Sequence, residues 1–125
     1  MSHHKKNRGG LRRARGANRC QLVLRIVATD DTFNLHGGGW LGRCIHCGTG
    51  LYVDQNGQTT ATVEHIRPIV AGGSCDELMN LALACSGCNS EKGIRHDSKR
   101  PSVRAEQVIE ALLQKRADRW RDEAY

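Results

Sequence analysis

The chain has 125 residues, enough for one domain plus tails, and its hydrophobic fraction of 38% allows only a modest core. No apolar run approaches the roughly 20 residues of a membrane-spanning helix, and no apolar segment follows the basic start as a secretory signal requires. We therefore predict a cytoplasmic protein without membrane segments. In that reducing compartment its six cysteines are expected to bind metal rather than form disulfides.

The net charge of +6 is unevenly placed, because residues 1–19 contain seven Lys or Arg residues and no acidic residue. A segment of this composition has too little apolar surface to fold alone. We predict that residues 1–19 form a disordered basic arm that contacts nucleic-acid phosphates through Arg12, Arg13 and Arg15. The alternative is a solvated terminus without function. The folded domain is predicted at residues 20–125.

Beyond the arm, the first part of the domain has helical and β-type patterns. Apolar spacing predicts a helix over residues 20–28, although its β-branched content leaves a strand possible. The run of glycines at residues 36–39 predicts a flexible break. Two strands are predicted at residues 52–53 and 61–66, and Asp54-Gln-Asn-Gly57 predicts a turn that joins them as a hairpin.

The second part of the domain is predicted to contain a loop and a long helix. Pro68 and the pair Gly72-Gly73 predict the loop. At the C-terminal end, apolar residues at helical spacing predict a helix over about residues 102–123. We expect its apolar side to pack on the core, with a partner-binding surface as the alternative.

Two C-x-x-C pairs, Cys44–Cys47 and Cys85–Cys88, are separated by 37 residues. A tight turn brings two thiolates to one edge of a tetrahedron, so two such turns complete a four-sulfur site. Structural zinc suits this donor set best, and a redox pair or two disulfides are the alternatives. His46 lies inside the first pair and is a substitute zinc ligand if one cysteine does not bind.

Between and after the two cysteine pairs run four short motifs: Val63-Glu-His-Ile-Arg-Pro68, Gly72-Gly73, Asn80-Leu81 and Asn89-Ser-Glu-Lys92-Gly93. In this order they resemble the HNH endonuclease family, the ββα-metal nucleases, over about residues 40–95. Small phage and bacterial proteins of this family are similar. The resemblance implies an α+β fold in which a two-stranded hairpin and a helix hold a catalytic ion. The four-cysteine zinc site would staple this motif, with helices flanking it at both ends.

The resemblance also implies a role for each site residue. His65 would be the general base that activates water, and Glu64 and Asn89 would bind a catalytic magnesium or manganese ion. Asn80 would complete the catalytic set by orienting the loop that positions His65. Where the family often has His, this chain has Asn89, which favours magnesium or manganese over zinc or nickel. Neighbours on a regular strand point to opposite faces, so Glu64 and His65 can share a site only where the strand ends or bulges.

The predicted activity is metal-dependent cleavage or nicking of DNA phosphodiester bonds. Beyond the arm, Arg67 and Lys92 are further candidate phosphate contacts. The alternative is a non-catalytic zinc-knuckle module that binds nucleic acid and needs neither the base nor the ion. Phage packaging proteins are candidate partners, and the biological role is left open among packaging, homing, restriction and toxin activity.

Overall fold

The computed structural model describes residues 4–88 and 101–123, with side chains from residue 16 onward. Its elements are helix α1 (His4–Ala28), strands β1 (Asn34–His36), β2 (Gly39–Arg43), β3 (Gly50–Val53), β4 (Thr62–His65) and β5 (Leu81–Ala84), and helix α2 (Val103–Asp118). The strands form two antiparallel sheets, one in the order β1-β2-β3 and the other pairing β4 with β5. Small antiparallel sheets with a helix at each end confirm the predicted α+β class.

Helix α1 confirms the predicted helix at residues 20–28 and also begins much earlier, at His4. It therefore includes most of the predicted arm, whose Ala, Leu, Arg and Lys residues are good helix formers. Val23, Ile26 and Val27 are fully buried, so the C-terminal end of α1 is the part that joins the core. The boundary of the arm at residue 19 and its disorder stay predictions.

The predicted hairpin between residues 52–53 and 61–66 is wrong, although both strands exist. Strand β3 pairs with β2, and β4 pairs with β5. The turn at residues 54–57 does form, with the Gly57 amide donating to the Asp54 carbonyl over 3.0 Å, but it leads from one sheet into the other. Strand β5 was not predicted because its four residues are all buried, so its sequence has no polar alternation.

The predicted flexible break at residues 36–39 is instead the turn of the hairpin between β1 and β2. Gly37 and Gly38 have φ angles of 64° and 122°, which side chains with a Cβ rarely adopt. The glycines therefore permit a tight reversal of the chain rather than loosening it.

The core lies between the two helices and strand β5. Fully buried Ile26 of α1, Leu81 of β5 and Ile109 of α2 belong to one hydrophobic cluster. The Ser102 hydroxyl caps α2 by accepting the Ala105 amide over 3.1 Å. Helix α2 is shorter than the predicted 102–123, because after residue 118 the chain turns and Trp120 makes a β-bridge to Asp30, just beyond α1.

The buried side chain of Arg116 joins three elements of this core. Its guanidinium donates to the Leu81 carbonyl over 2.7 Å, to the Thr29 carbonyl over 2.8 Å and to the Thr29 hydroxyl over 2.7 Å. It also lies 5.2 Å from the centre of the Trp120 ring. Arg116 thus fixes the position of β5, and with it of β4, relative to both helices.

We expect Arg116→Leu to lower the free energy of unfolding by about 3 kcal/mol or more. Each hydrogen bond to a charged group contributes roughly 1.5–3 kcal/mol, and buried carbonyls left without donors add a penalty. Urea unfolding followed by circular dichroism measures the change. Arg104→Leu, at an exposed position of the same helix, is the control and should leave the midpoint nearly unchanged. Equal midpoints for the two variants would contradict the role of Arg116.

Candidate metal centre and active site

The four cysteines of the two C-x-x-C pairs come together in space. Cys44 follows the end of β2 and Cys85 follows the end of β5, and the Ile45 amide joins the two segments by donating to the Leu83 carbonyl over 3.1 Å. The sulfurs of all four lie within 4.8 Å of one another, and those of Cys47 and Cys85 are 4.0 Å apart. The predicted four-cysteine cluster is therefore confirmed.

The geometry and chemistry of these sulfurs suit a metal ion. Tetrahedral zinc with bonds of roughly 2.3 Å holds its sulfurs about 3.8 Å apart, close to the spacing observed here. Burial of Cys44 favours the neutral thiol, but the backbone amides of Cys47, Cys85 and His46 outweigh it and lower the pKa of Cys44 to about 6. Hydrogen bonding with the Cys85 sulfur, together with burial, raises the pKa of Cys88. A bound cation would favour all four thiolates, and zinc is compatible with this donor set.

Glu64 lies on β4 beside the first cysteine pair and is only 1% exposed. The Nε2–H of His46 donates to its Oε1 atom over 2.6 Å. Its other carboxylate oxygen, Oε2, has no hydrogen-bond partner among the described residues. The imidazole of His46 is thus directed to Glu64, and the sulfur cluster is complete without it.

His65 follows Glu64 and is the last paired residue of β4, opposite Leu81. The strand therefore ends at the point that a shared site for Glu64 and His65 requires. His65 is half-buried and lines an open groove of about 920 Å³ together with Asn18 and Arg19 of α1. Glu64 is not among the residues that line this groove, and its side chain contacts His46 instead. The shared site for Glu64 and His65 therefore stays a prediction.

Asn80 holds the loop that follows β4. Its Oδ1 accepts the Arg67 amide over 2.8 Å, and its Nδ2 donates to the carbonyls of Arg67 and Ser74 over 3.1 and 2.9 Å. Gly73 is needed for this contact, because a Cβ there would lie 1.9 Å from the Arg67 carbonyl oxygen. Asn80 thus fixes the backbone two residues beyond His65, which is compatible with its predicted role in orienting that loop.

Arg67, a predicted phosphate contact, already has two carboxylate partners on α2. Its guanidinium donates to Glu106 over 3.0 Å and to Glu110 over 2.8 Å. The hydrogen bond to Glu106 raises the pKa of Arg67 and lowers the pKa of Glu106. Arg67 thereby attaches the loop to α2, and its contact with DNA stays a prediction.

Several predicted site residues lie outside the described part of the chain. Asn89 and Lys92 fall within the undescribed segment 89–100, and the side chains of Arg12, Arg13 and Arg15 precede residue 16. Their roles stay predictions. In contrast, the contact of His46 with Glu64 was not predicted, because the sequence indicated His46 only as a substitute zinc ligand. Its proximity to Glu64 depends on the pairing of β4 with β5, which no local pattern indicates.

A cysteine cluster that could hold a metal ion joins the end of β2 to the end of β5, and strand β4 beside it ends in Glu64 and His65. Residues 44–95 match the family model described as HNH endonuclease. An HNH domain therefore lies at these residues, somewhat under half of the chain, and the predicted resemblance is confirmed. No curated protein and no solved structure matches the chain. Within residues 4–88 and 101–123, neither helix has the apolar length to cross a bilayer.

Proposed function

We propose that the protein is a metal-dependent endonuclease that cleaves or nicks DNA phosphodiester bonds, with His65 as the general base. The observation that carries this proposal is the position of His65 within the matched HNH segment. His65 is the last residue of strand β4, and its side chain lines an open groove. The loop that follows is held by a hydrogen bond from the Arg67 amide to Asn80. A general base needs such a combination of access to substrate and a rigid backbone.

Each of these residues has a separate role in the proposed reaction. His65 takes a proton from the attacking water, and Asn80 holds the loop that keeps the His65 backbone in place. Glu64 and Asn89 would hold a magnesium or manganese ion, which supplies charge stabilisation at the phosphate when bound. The four cysteines would hold zinc and fill its four coordination positions, so the ion would stabilise the fold without taking part in the reaction.

The competing function is a zinc-stapled module that binds nucleic acid without cutting it, since the sulfur cluster is compatible with both. A nicking assay on supercoiled plasmid, with added magnesium, with added manganese and with neither, separates the two functions. The proposal predicts nicking that depends on the added ion. Retention of the plasmid in gel shifts without nicking under any of the three conditions would favour the binding module.

The basic arm supplies a second test, because it is proposed to contact DNA phosphates. Residues 1–15 contain six of the arm's seven cations. The seventh, Arg19, donates to the Ala61 carbonyl over 2.8 Å and is kept in the deletion variant. Deletion of residues 1–15 should weaken DNA binding and lower the slope of log affinity against log salt by up to about 5, since each neutralised phosphate contributes about 0.9.

Fluorescence anisotropy with a labelled duplex across salt concentrations measures this slope. The matched control keeps the length of the arm and replaces its six cations with Gln; it should behave like the deletion. An unchanged affinity and slope in both variants would show that the arm does not contact DNA. Phage packaging partners and a cytoplasmic location stay predictions.

A further inference from the structure

His46 is held in a fixed position by contacts to its backbone. Its amide donates to the Cys44 sulfur over 3.4 Å, and its carbonyl accepts from the Lys115 ammonium over 3.3 Å. The side chain is 19% exposed and its Nε2 lies 2.6 Å from Glu64, which is 1% exposed. The zinc ligand Cys44 and the buried carboxylate are therefore connected through one residue.

The pairing of the strands sets the distance between His46 and Glu64. Glu64 is opposite Ala82 of β5, and the next residue of β5, Leu83, accepts the Ile45 amide of the first cysteine pair. Strand β5 is thus bonded on one side to β4, which contains Glu64, and on the other side to Ile45, the neighbour of His46. Backbone hydrogen bonds therefore define the positions of Glu64 and of the segment that contains His46, so their distance does not depend on flexible side chains alone.

The carboxylate of Glu64 is only half satisfied by this contact. Burial of a carboxylate oxygen without a hydrogen bond is unfavourable, and Oε2 of Glu64 has no partner in the described residues. Buried polar groups without a partner are rare in native proteins, and binding of an ion is one of the reasons for which they are retained. With Oε1 occupied by His46, Oε2 is the oxygen left for a cation.

We propose that His46 is a positioning residue for the catalytic ion: it holds Oε1 of Glu64 so that Oε2 faces the ion. This inference rests on the proposed function, in which Glu64 is a ligand of that ion. A histidine that donates to a metal-binding carboxylate fixes its orientation, and loss of such outer contacts typically lowers metal affinity about 10–100-fold. The zinc site thereby sets the geometry of the catalytic site through the first cysteine pair.

The test measures manganese binding by electron paramagnetic resonance, independently of nicking. His46→Leu removes the donor and His46→Gln keeps one. His36→Leu is the matched control at an exposed histidine whose ring lies edge-on to the Tyr52 ring. Zinc content and thermal unfolding are recorded first. If His46→Leu does not fold, His46→Asn, whose amide is too short to reach Glu64, replaces it.

We expect His46→Leu to weaken manganese binding about 10–100-fold with zinc content unchanged, His46→Gln to restore most of the affinity, and His36→Leu to match the wild type. Because His46 acts through Glu64, adding His46→Leu to Glu64→Gln should cause little further loss. Equal affinities for wild type and His46→Leu would overturn the inference, as would a wild type that binds no manganese.

Nitrogen coupling in the spectrum of bound manganese that disappears in His46→Leu would also overturn it, because His46 would then be a ligand. The failure of the proposed function gives a different result. A wild type that binds manganese in a His46-dependent way but does not nick plasmid would support the positioning role and reject the nuclease.

Discussion

His65→Ala should lower the rate of plasmid nicking by about 10²–10⁴-fold, the usual loss for a general base. Its side chain lines an open groove instead of filling the core, so we expect the variant to keep its fold and its zinc. Nicking of supercoiled plasmid at saturating magnesium or manganese measures the loss, and elemental analysis checks the zinc. A rate equal to that of the wild type would remove His65 from the mechanism.

The response to added metal separates the base from the ligands of the catalytic ion. Glu64→Ala and Asn89→Ala should weaken ion binding, so excess magnesium or manganese should restore part of their activity by mass action. The same excess should not restore His65→Ala, since no ion replaces a missing proton acceptor. Rescue of all three variants to the same extent would assign His65 to ion binding.

Removal of the ion held by the four cysteines should unfold the domain. Apparent binding free energies for structural zinc are about 10–16 kcal/mol, whereas whole domains are stable by only about 5–15 kcal/mol. The cluster here joins the chain after β2 to the chain after β5. Its loss would therefore remove a link between the two sheets. Circular dichroism during titration with a chelator, in reducing buffer, should show loss of structure that added zinc restores.

Cysteine variants give the control for this experiment. Cys47→Ser should lose the metal and much of the stability, because its sulfur is one of the four in the cluster. Cys20→Ser, at a half-buried position on α1 outside the cluster, should keep the metal. A folded and reduced wild type without bound metal, or loss of metal from Cys20→Ser, would contradict the assigned ligand set.

The chemistry of this chain could be predicted further than its topology. The sulfur cluster was predictable because two C-x-x-C pairs have few other uses in a reducing compartment. Pairing of β3 with β4 was a reasonable expectation from the Asp54–Gly57 turn, yet β4 pairs with a strand further along the chain. Local turn residues show where the chain reverses, but they do not show which strand it meets next.

The features missed from the sequence depend on contacts between distant residues. Nothing in the sequence pattern indicates that Arg116 is buried, yet its guanidinium donates to Thr29 and Leu81 in the core. His46 reaches Glu64 only because β5 brings the two segments together. Such contacts depend on the tertiary arrangement, and the periodicity of a sequence window of about 11–18 residues does not indicate them.

The buried Arg116 also bears on how the protein is synthesised. The hydrogen bonds from Arg116 span 87 residues to Thr29 and 35 residues to Leu81, so the ribosome must extrude α2 before the core can close. Both cysteine pairs leave the ribosome earlier and can take up metal first. The nascent chain would then have a closed metal site beside an open core, and its carbonyls at Thr29 and Leu81 would stay hydrated until α2 docks.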